Sequence, residues 1–158
     1  MRLLIQRHAK TDPFSDSGKD FDRKLLKKGI NQATELGKFY HENQIDSVHI
    51  FCSTAARTRQ TAMYIQKGQT FTSKIQFLDA LYLSEKEDLL SFLWSQDHNE
   101  EILIIGHNNG ISDVVSYFVD DYIELKTGEF IQIDFELDSW KETSMGLGRI
   151  TKRYRPEV

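Results

Sequence analysis

The segment Glu101-Ile102-Leu103-Ile104-Ile105-Gly106 constrains this chain more than any other. Four consecutive branched aliphatic side chains, with no polar residue between them, read as a strand buried on both faces, which a parallel sheet covered by helices above and below provides. The flanking sequence supplies the companions. Leu3-Leu4-Ile5 is a short strand, followed by a polar loop through Arg23 that contains Pro13, Ser15, Ser17 and Gly18. Ile30, Ala33, Thr34, Gly37, Tyr40 and His41 recur at intervals of three and four, predicting an amphipathic helix from about Leu26 to Asn43. Ser47 to Phe51 reads as a second strand, Thr54 to Lys67 as a helix, Ile75 to Leu78 as a weaker strand and Asp88 to Gln96 as a helix. A further helix follows the apolar run, from about Gly110 to Val119.

The end of the chain changes character. From Glu129 to Leu137, Ile131, Ile133, Phe135 and Leu137 alternate with Gln132, Asp134 and Glu136, the period-two pattern of a half-buried strand. Leu147 to Tyr154 can return beside it as an edge hairpin. Strands alternating with helices imply right-handed crossovers and helices on both sheet faces. The expected fold is a three-layer α/β/α domain spanning residues 1–158, with a mostly parallel central sheet and antiparallel strands added near the C-terminus.

Composition narrows the function. The chain has 158 residues and a net charge of −4, with 39% hydrophobic and 28% charged residues, the balance of a globular protein. Residues 1–59 carry 11 basic and 7 acidic groups, whereas 60–142 carry 5 and 16. This disfavours a nucleic-acid surface but lets the N-terminal third hold a small anion. No apolar run approaches the roughly 20 residues of a membrane span, and the N-terminal run is too short for a signal sequence. A cytoplasmic location without membrane contact is therefore expected. A single cysteine, Cys52, excludes an intrachain disulfide and paired-cysteine zinc sites.

In an open α/β sheet, ligands bind beyond the carboxyl ends of the strands. Three such exits are rich in chemistry: Arg7, His8, Ala9 and Lys10 after the first strand, Cys52 to Arg57 after the second, and Gly106, His107 and Asn108 after the fourth. Parallel strands would bring His8, Arg57 and His107 to one edge. Two histidines and two arginines suit a phosphoryl group, because guanidinium forks match its oxygens and an imidazole can attack phosphorus. Singly, each has a plainer reading, as a structural histidine or a surface cation; the conjunction carries the signal. Zinc on His8 and His107 would lack further ligands and would be repelled by the arginines, so neither metal nor cofactor is expected. His41, His49 and His98 have no identifiable partner and read as structural or surface residues. Cys52 to Arg57 has four intervening residues where a tyrosine-phosphatase loop has five, Asp20-Phe21-Asp22 lies in a polar loop, and Gly106 to Gly110 lacks the ending of a P-loop.

Taken together, the motifs resemble the histidine phosphatase superfamily, also called phosphoglycerate mutase-like. Its Arg-His-Gly signature appears as Arg7-His8-Ala9, its second motif as Cys52-Ser53-Thr54-Ala55-Ala56-Arg57-Thr58-Arg59-Gln60-Thr61, and its second histidine in Gly106-His107-Asn108. Asp20-Phe21-Asp22-Arg23, Leu81-Tyr82, Thr127-Gly128 and Arg155-Pro156 resemble the small SixA-type phosphohistidine phosphatases more narrowly. The resemblance implies that His8 is the nucleophile that becomes phosphorylated, and that Arg7, Arg57 and His107, with Asn108 beside them, bind the substrate. The substrate expected from it is a phosphorylated protein histidine or a similarly labile small phosphoramidate. The alternatives are a phosphomonoesterase for a small phosphorylated metabolite and a non-catalytic module that binds a phospho-ligand. One departure bears on this choice. Many relatives carry a carboxylic acid where Leu83 stands, so no proton donor is apparent, although Asp79, Glu85 and Asp88 are near; Glu85 and Asp88 read better as helix N-terminal residues.

Overall fold

A computed structural model describes residues 1–47 and 49–158. In chain order its elements are β1 (Arg2–Arg7), α1 (Lys27–Glu42), β2 (His49–Ser53), α2 (Ala56–Gly68), β3 (Ile75–Leu78), α3 (Lys86–Trp94), β4 (Ile102–Gly106), α4 (Gly110–Val119), β5 (Phe130–Phe135) and β6 (Gly148–Tyr154). Short 3-10 turns lie at Asp20–Asp22, Asp79–Leu81 and Trp140–Glu142. The sheet runs β3-β2-β4-β1-β5-β6. β3, β2, β4 and β1 are parallel, while β5 runs antiparallel to β1 and β6 antiparallel to β5. This is the expected three-layer α/β fold with a mostly parallel sheet.

The apolar run of β4 explains the layering. Ile102 and Ile104 join Leu3 and Ile5 of β1 under Leu89 and Leu93 of α3 and Val114 and Phe118 of α4. Their neighbours Leu103 and Ile105 point the other way, joining Leu4, Ile50 and Cys52 against Leu36 and Tyr40 of α1 and Ala62 and Ile65 of α2. Successive side chains alternate between faces, and a strand covered on both sides must be apolar at every position. Helices α1 and α2 approach so closely that a Cβ on Gly68 would lie 2.6 Å from the carbonyl carbon of Gly37. Any side chain there would push the helices apart. Among the described residues, no helix is long and apolar enough to cross a membrane.

The differences from expectation have local causes. The helix expected from Asp88 begins at Lys86, because Glu85 and Asp88 close a capping box in which the Glu85 backbone N–H donates to Asp88 Oδ2 at 3.0 Å. The second helix starts at Ala56 instead of Thr54, since Ala55 keeps a non-helical backbone and the Thr54 hydroxyl donates to Asp79 Oδ1 at 2.6 Å. The strand expected at Ser47 to Phe51 runs from His49 to Ser53; Val48 lies outside the described residues. Gln132, expected to face solvent, is buried and donates to Thr151 Oγ1 at 2.9 Å. β5 is sandwiched between β1 and β6, and the face carrying Phe130 and Gln132 is covered by α1, so its alternation separates two covered faces.

Candidate active site

Parallel pairing of β1 with β4 sets Arg7 opposite Gly106, so their successors His8 and His107 emerge side by side with ring centroids 5.4 Å apart. The His8 backbone is clamped on both sides: its N–H donates to the Gly106 carbonyl at 3.1 Å, and its carbonyl accepts from Gly128 N–H at 2.9 Å. Arg57 enters from the first turn of α2 with its side chain 3% exposed. Gln60 and Thr61 of the same helix hold the loops around it. Gln60 Oε1 accepts from Leu25 N–H at 2.7 Å, and Thr61 Oγ1 accepts from Ala9 N–H at 3.0 Å. These groups converge on a pocket of about 460 Å³ whose lining includes Arg7, His8, Asp20, Arg57, Leu83 and His107. A larger groove of about 920 Å³ passes Met1, Arg2 and Glu101 at the other end of the sheet and holds none of these groups. The smaller pocket is the chemically equipped one.

The protonation states follow from the partners. His8 Nδ1 lies 2.8 Å from the Ala9 carbonyl oxygen, which can only accept, so the proton is on Nδ1 and Nε2 presents a lone pair. Burial, together with the charges of Arg57, Arg7 and Arg23, overrides that carbonyl and pushes the His8 pKa down to about 3. Burial and then the Arg57 charge do the same to His107, also to about 3. Both rings are neutral across the physiological range. Arg7 Nη1 donates to the Leu125 carbonyl at 2.8 Å, and Arg57 donates to the Asp20 carbonyl at 2.9 Å and to Asp20 Oδ2 at 3.0 Å. Arg7 Nε, Arg57 Nε and His107 Nδ1 are buried without a hydrogen-bond partner among the described residues. Orphaned buried nitrogens are costly, and three on residues lining one pocket mark it as built for an acceptor with several oxygens.

The Asp20 carboxyl contributes charge and no proton. Burial works to raise its pKa, but the hydrogen bond from Tyr82, at 2.6 Å, and the charge of Arg57 bring it down to about 2. Cys52 is packed in the core with its thiol pushed up to about 12 by burial, which removes a thiolate from consideration.

Residues 3–82 match the model of the histidine phosphatase superfamily (branch 1), a span that includes Arg7, His8 and Arg57. The chain belongs to this family. Among solved structures its fold is similar to that of a SixA protein from Agrobacterium tumefaciens, with a TM-score of 0.83 and 22% identity, covering 98% of this chain and 97% of that one. It is also similar to the protein histidine phosphatase SixA complexed with tungstate, with a TM-score of 0.82 and 15% identity over 98% and 97% of the two chains. A chloroplastic uncharacterised protein of Arabidopsis thaliana is 26% identical over 151 residues, 89% of this chain and 69% of that protein.

The structure brings Arg7, His8, Arg57, His107 and Asn108 to one pocket. Asn108 is partly committed, since its Nδ2 donates to the Leu125 carbonyl at 2.9 Å and its Oδ1 accepts from the Ser112 hydroxyl at 2.5 Å. Of the candidate carboxylates, Glu85 and Asp88 cap α3, while Asp79 is held by Thr54. Leu83 lines the pocket. The motifs that contain Asp20, Arg23, Tyr82 and Ser53 are visible in the sequence, but spacing assigns none of the four a role in the site. Asp20-Phe21-Asp22-Arg23 and Leu81-Tyr82 were visible as family-like pairs, but their meeting at Arg57 depends on loop paths that no spacing encodes. His49 and His98 do have partners: their rings stack at 3.9 Å, and His49 Nε2 lies 2.6 Å from Glu100 Oε2. With Glu100 they offer ligand atoms within 4.8 Å of one another at the amino ends of β2 and β4, away from the pocket.

Proposed function

We propose that the chain is a phosphatase that passes through a phosphorylated His8 and acts on phosphohistidine in proteins. One observation carries the choice of substrate: the pocket holds a nucleophile and a cationic cradle, yet where a proton donor would stand it has Leu83, and its carboxylate, Asp20, is held ionised. An alkoxide leaving group needs a proton from a positioned acid. The imidazole of phosphohistidine does not, because protonation of its other nitrogen from solvent lets it leave neutral.

In the proposed cycle, His8 Nε2 attacks phosphorus in line and the bond from phosphorus to the substrate nitrogen breaks. The Ala9 carbonyl keeps the Nδ1 proton in place, so phosphorylated His8 is cationic and is itself a good leaving group. Water then attacks phosphorus and releases inorganic phosphate. Arg7, Arg57 and His107 stabilise the equatorial oxygens in both steps, and Asn108 lies beside them. The scheme calls on no cofactor. The proposal takes residues 1–158 as one catalytic domain working in the cytoplasm on a phosphorylated protein partner.

The test compares phosphohistidine, an aryl phosphate and a sugar phosphate as substrates. The expected order of kcat/KM is phosphohistidine first, aryl phosphate weak and sugar phosphate hardly used. Sugar phosphate hydrolysis matching that of phosphohistidine rejects the proposal in favour of a metabolite phosphatase. Binding of phosphate without turnover of any of the three makes the chain a phospho-ligand binding module.

A further inference from the structure

The last residue of β2, Ser53, is fully buried, and its Oγ lies 2.7 Å from His107 Nε2. A hydroxyl has one proton to give and two lone pairs to offer. One lone pair receives the Ala55 backbone N–H at 3.3 Å. No other acceptor for the Ser53 proton is present among the described residues. If His107 carried its proton on Nε2 and gave it to Ser53, the serine proton would be stranded in the core, and His107 Nδ1 would present a bare lone pair to an anionic phosphoryl group. If Ser53 donates to Nε2, the serine gives one bond and receives one, and the His107 proton sits on Nδ1, which has no partner among the described residues and is left to meet a bound acceptor.

We propose that Ser53 is a positioning residue that holds His107 in its Nδ1–H tautomer, making Nδ1 a hydrogen-bond donor to the phosphoryl group. The inference rests on reading the pocket as a phosphoryl site. A phosphoryl oxygen only accepts, so a neutral imidazole stabilises it in one tautomer and repels it in the other. Charging the ring would cost desolvation beside Arg57, whereas choosing the tautomer costs one serine hydroxyl. The register explains why Ser53 can do this. β2 is the direct neighbour of β4, with Cys52 paired to Ile105, so the residue after Cys52 faces the exit from which His107 departs.

The test is long-range proton–nitrogen correlation NMR on chain labelled with ¹⁵N-histidine, at neutral pH, with the His107 signals assigned from a His107→Asn variant. In the wild type, Nδ1 of His107 is expected to be the pyrrole-type, protonated nitrogen and Nε2 the pyridine-type one. Ser53→Ala should release the ring to a mixture or to the Nε2–H form. It should lower kcat on the order of tenfold or more, short of the roughly 10²-fold or more that follows loss of a direct donor, with KM changing far less. Ser53→Thr, which keeps the hydroxyl, should restore the Nδ1–H form and most of kcat. A wild-type His107 protonated on Nε2 overturns the inference and needs no variant to fold. So does a Ser53→Ala chain that keeps the Nδ1–H tautomer, whatever its activity. Because the tautomer is read without turnover, a chain that hydrolyses no phosphorylated substrate sinks the functional reading separately.

Discussion

His8 Nδ1 lies 2.8 Å from the carbonyl oxygen of the next residue, Ala9, which holds the ring proton on that nitrogen. A backbone carbonyl cannot reverse its role, so the Nε2 lone pair, the proposed nucleophile, is fixed by local chain geometry before any substrate arrives.

Replacing His8 by Ala is therefore expected to abolish turnover while the chain stays folded. Quenched wild-type reactions should show an acid-labile, base-stable phosphoryl group on His8. Mass spectrometry that places the group on Cys52 or Ser53 would falsify the assignment.

Arg57 and Arg59 stand two residues apart on α2, yet Arg57 is buried at the pocket, while Arg59 is exposed, donates to the Thr54 carbonyl at 2.9 Å and lies over the Phe77 ring. Arg57→Lys keeps a charge but loses the fork that engages Asp20 and, in the proposed cycle, the phosphoryl oxygens. It should lower kcat/KM on the order of 10²-fold, about 2.7 kcal/mol, mostly through kcat. Arg59→Lys should stay near wild type. Equal effects in steady-state assays would take Arg57 out of the cradle.

Leu83 offers a gain-of-function test. It lines the pocket, is 50% exposed and already has φ of 50°, so a glutamate there adds no burial and no new backbone strain. Leu83→Glu is expected to raise hydrolysis of a sugar phosphate on the order of tenfold, a fraction of the 10²- to 10⁴-fold of a fully positioned acid. Asp79→Asn should leave every substrate unaffected. A sharp loss in Asp79→Asn, or no gain from the glutamate, means that proton supply is not what the site lacks.

Stability should fall with acid in a window set by the two histidines. Both have folded pKa values lowered from 6.5 to about 3, so between these limits the unfolded chain binds more protons than the folded one. The stability they confer is complete above 6.5 and is lost progressively as pH drops towards 3. Asp20, lowered from 3.8 to about 2, adds its own loss only below the first of those values. Thermal denaturation should show a falling melting temperature from pH 6.5 downward in the wild type and a shallower fall in His107→Asn. Parallel curves for the two proteins would show that His107 is not buried neutral.

The order of strands and helices was legible because periodicity reports burial, and burial is what a layered sheet imposes on sequence. Ile102 to Ile105 announces a strand with two covered faces, and the exits after β1, β2 and β4 follow from it. Arg7, His8, Arg57 and His107 could be chosen in advance since each stands at one of those exits. Gln132 misled because alternation reports two different faces and says nothing about which is wet; β6 and α1 decided that. Local spacing also placed Glu85 and Asp88, as a capping box lies within four residues.

What only the tertiary structure decided is which atoms meet. The sequence by itself determined that two imidazoles and two guanidinium groups share one edge of a sheet. It could not show that Ala9 fixes the proton of His8, that Ser53 on a neighbouring strand faces His107, or that Asp20 from a distant loop is ionised against Arg57 and Tyr82. Proton positions and pKa values depend on contacts of about 3 Å between segments far apart in the chain, and such contacts are set by packing, for which residue spacing has no code.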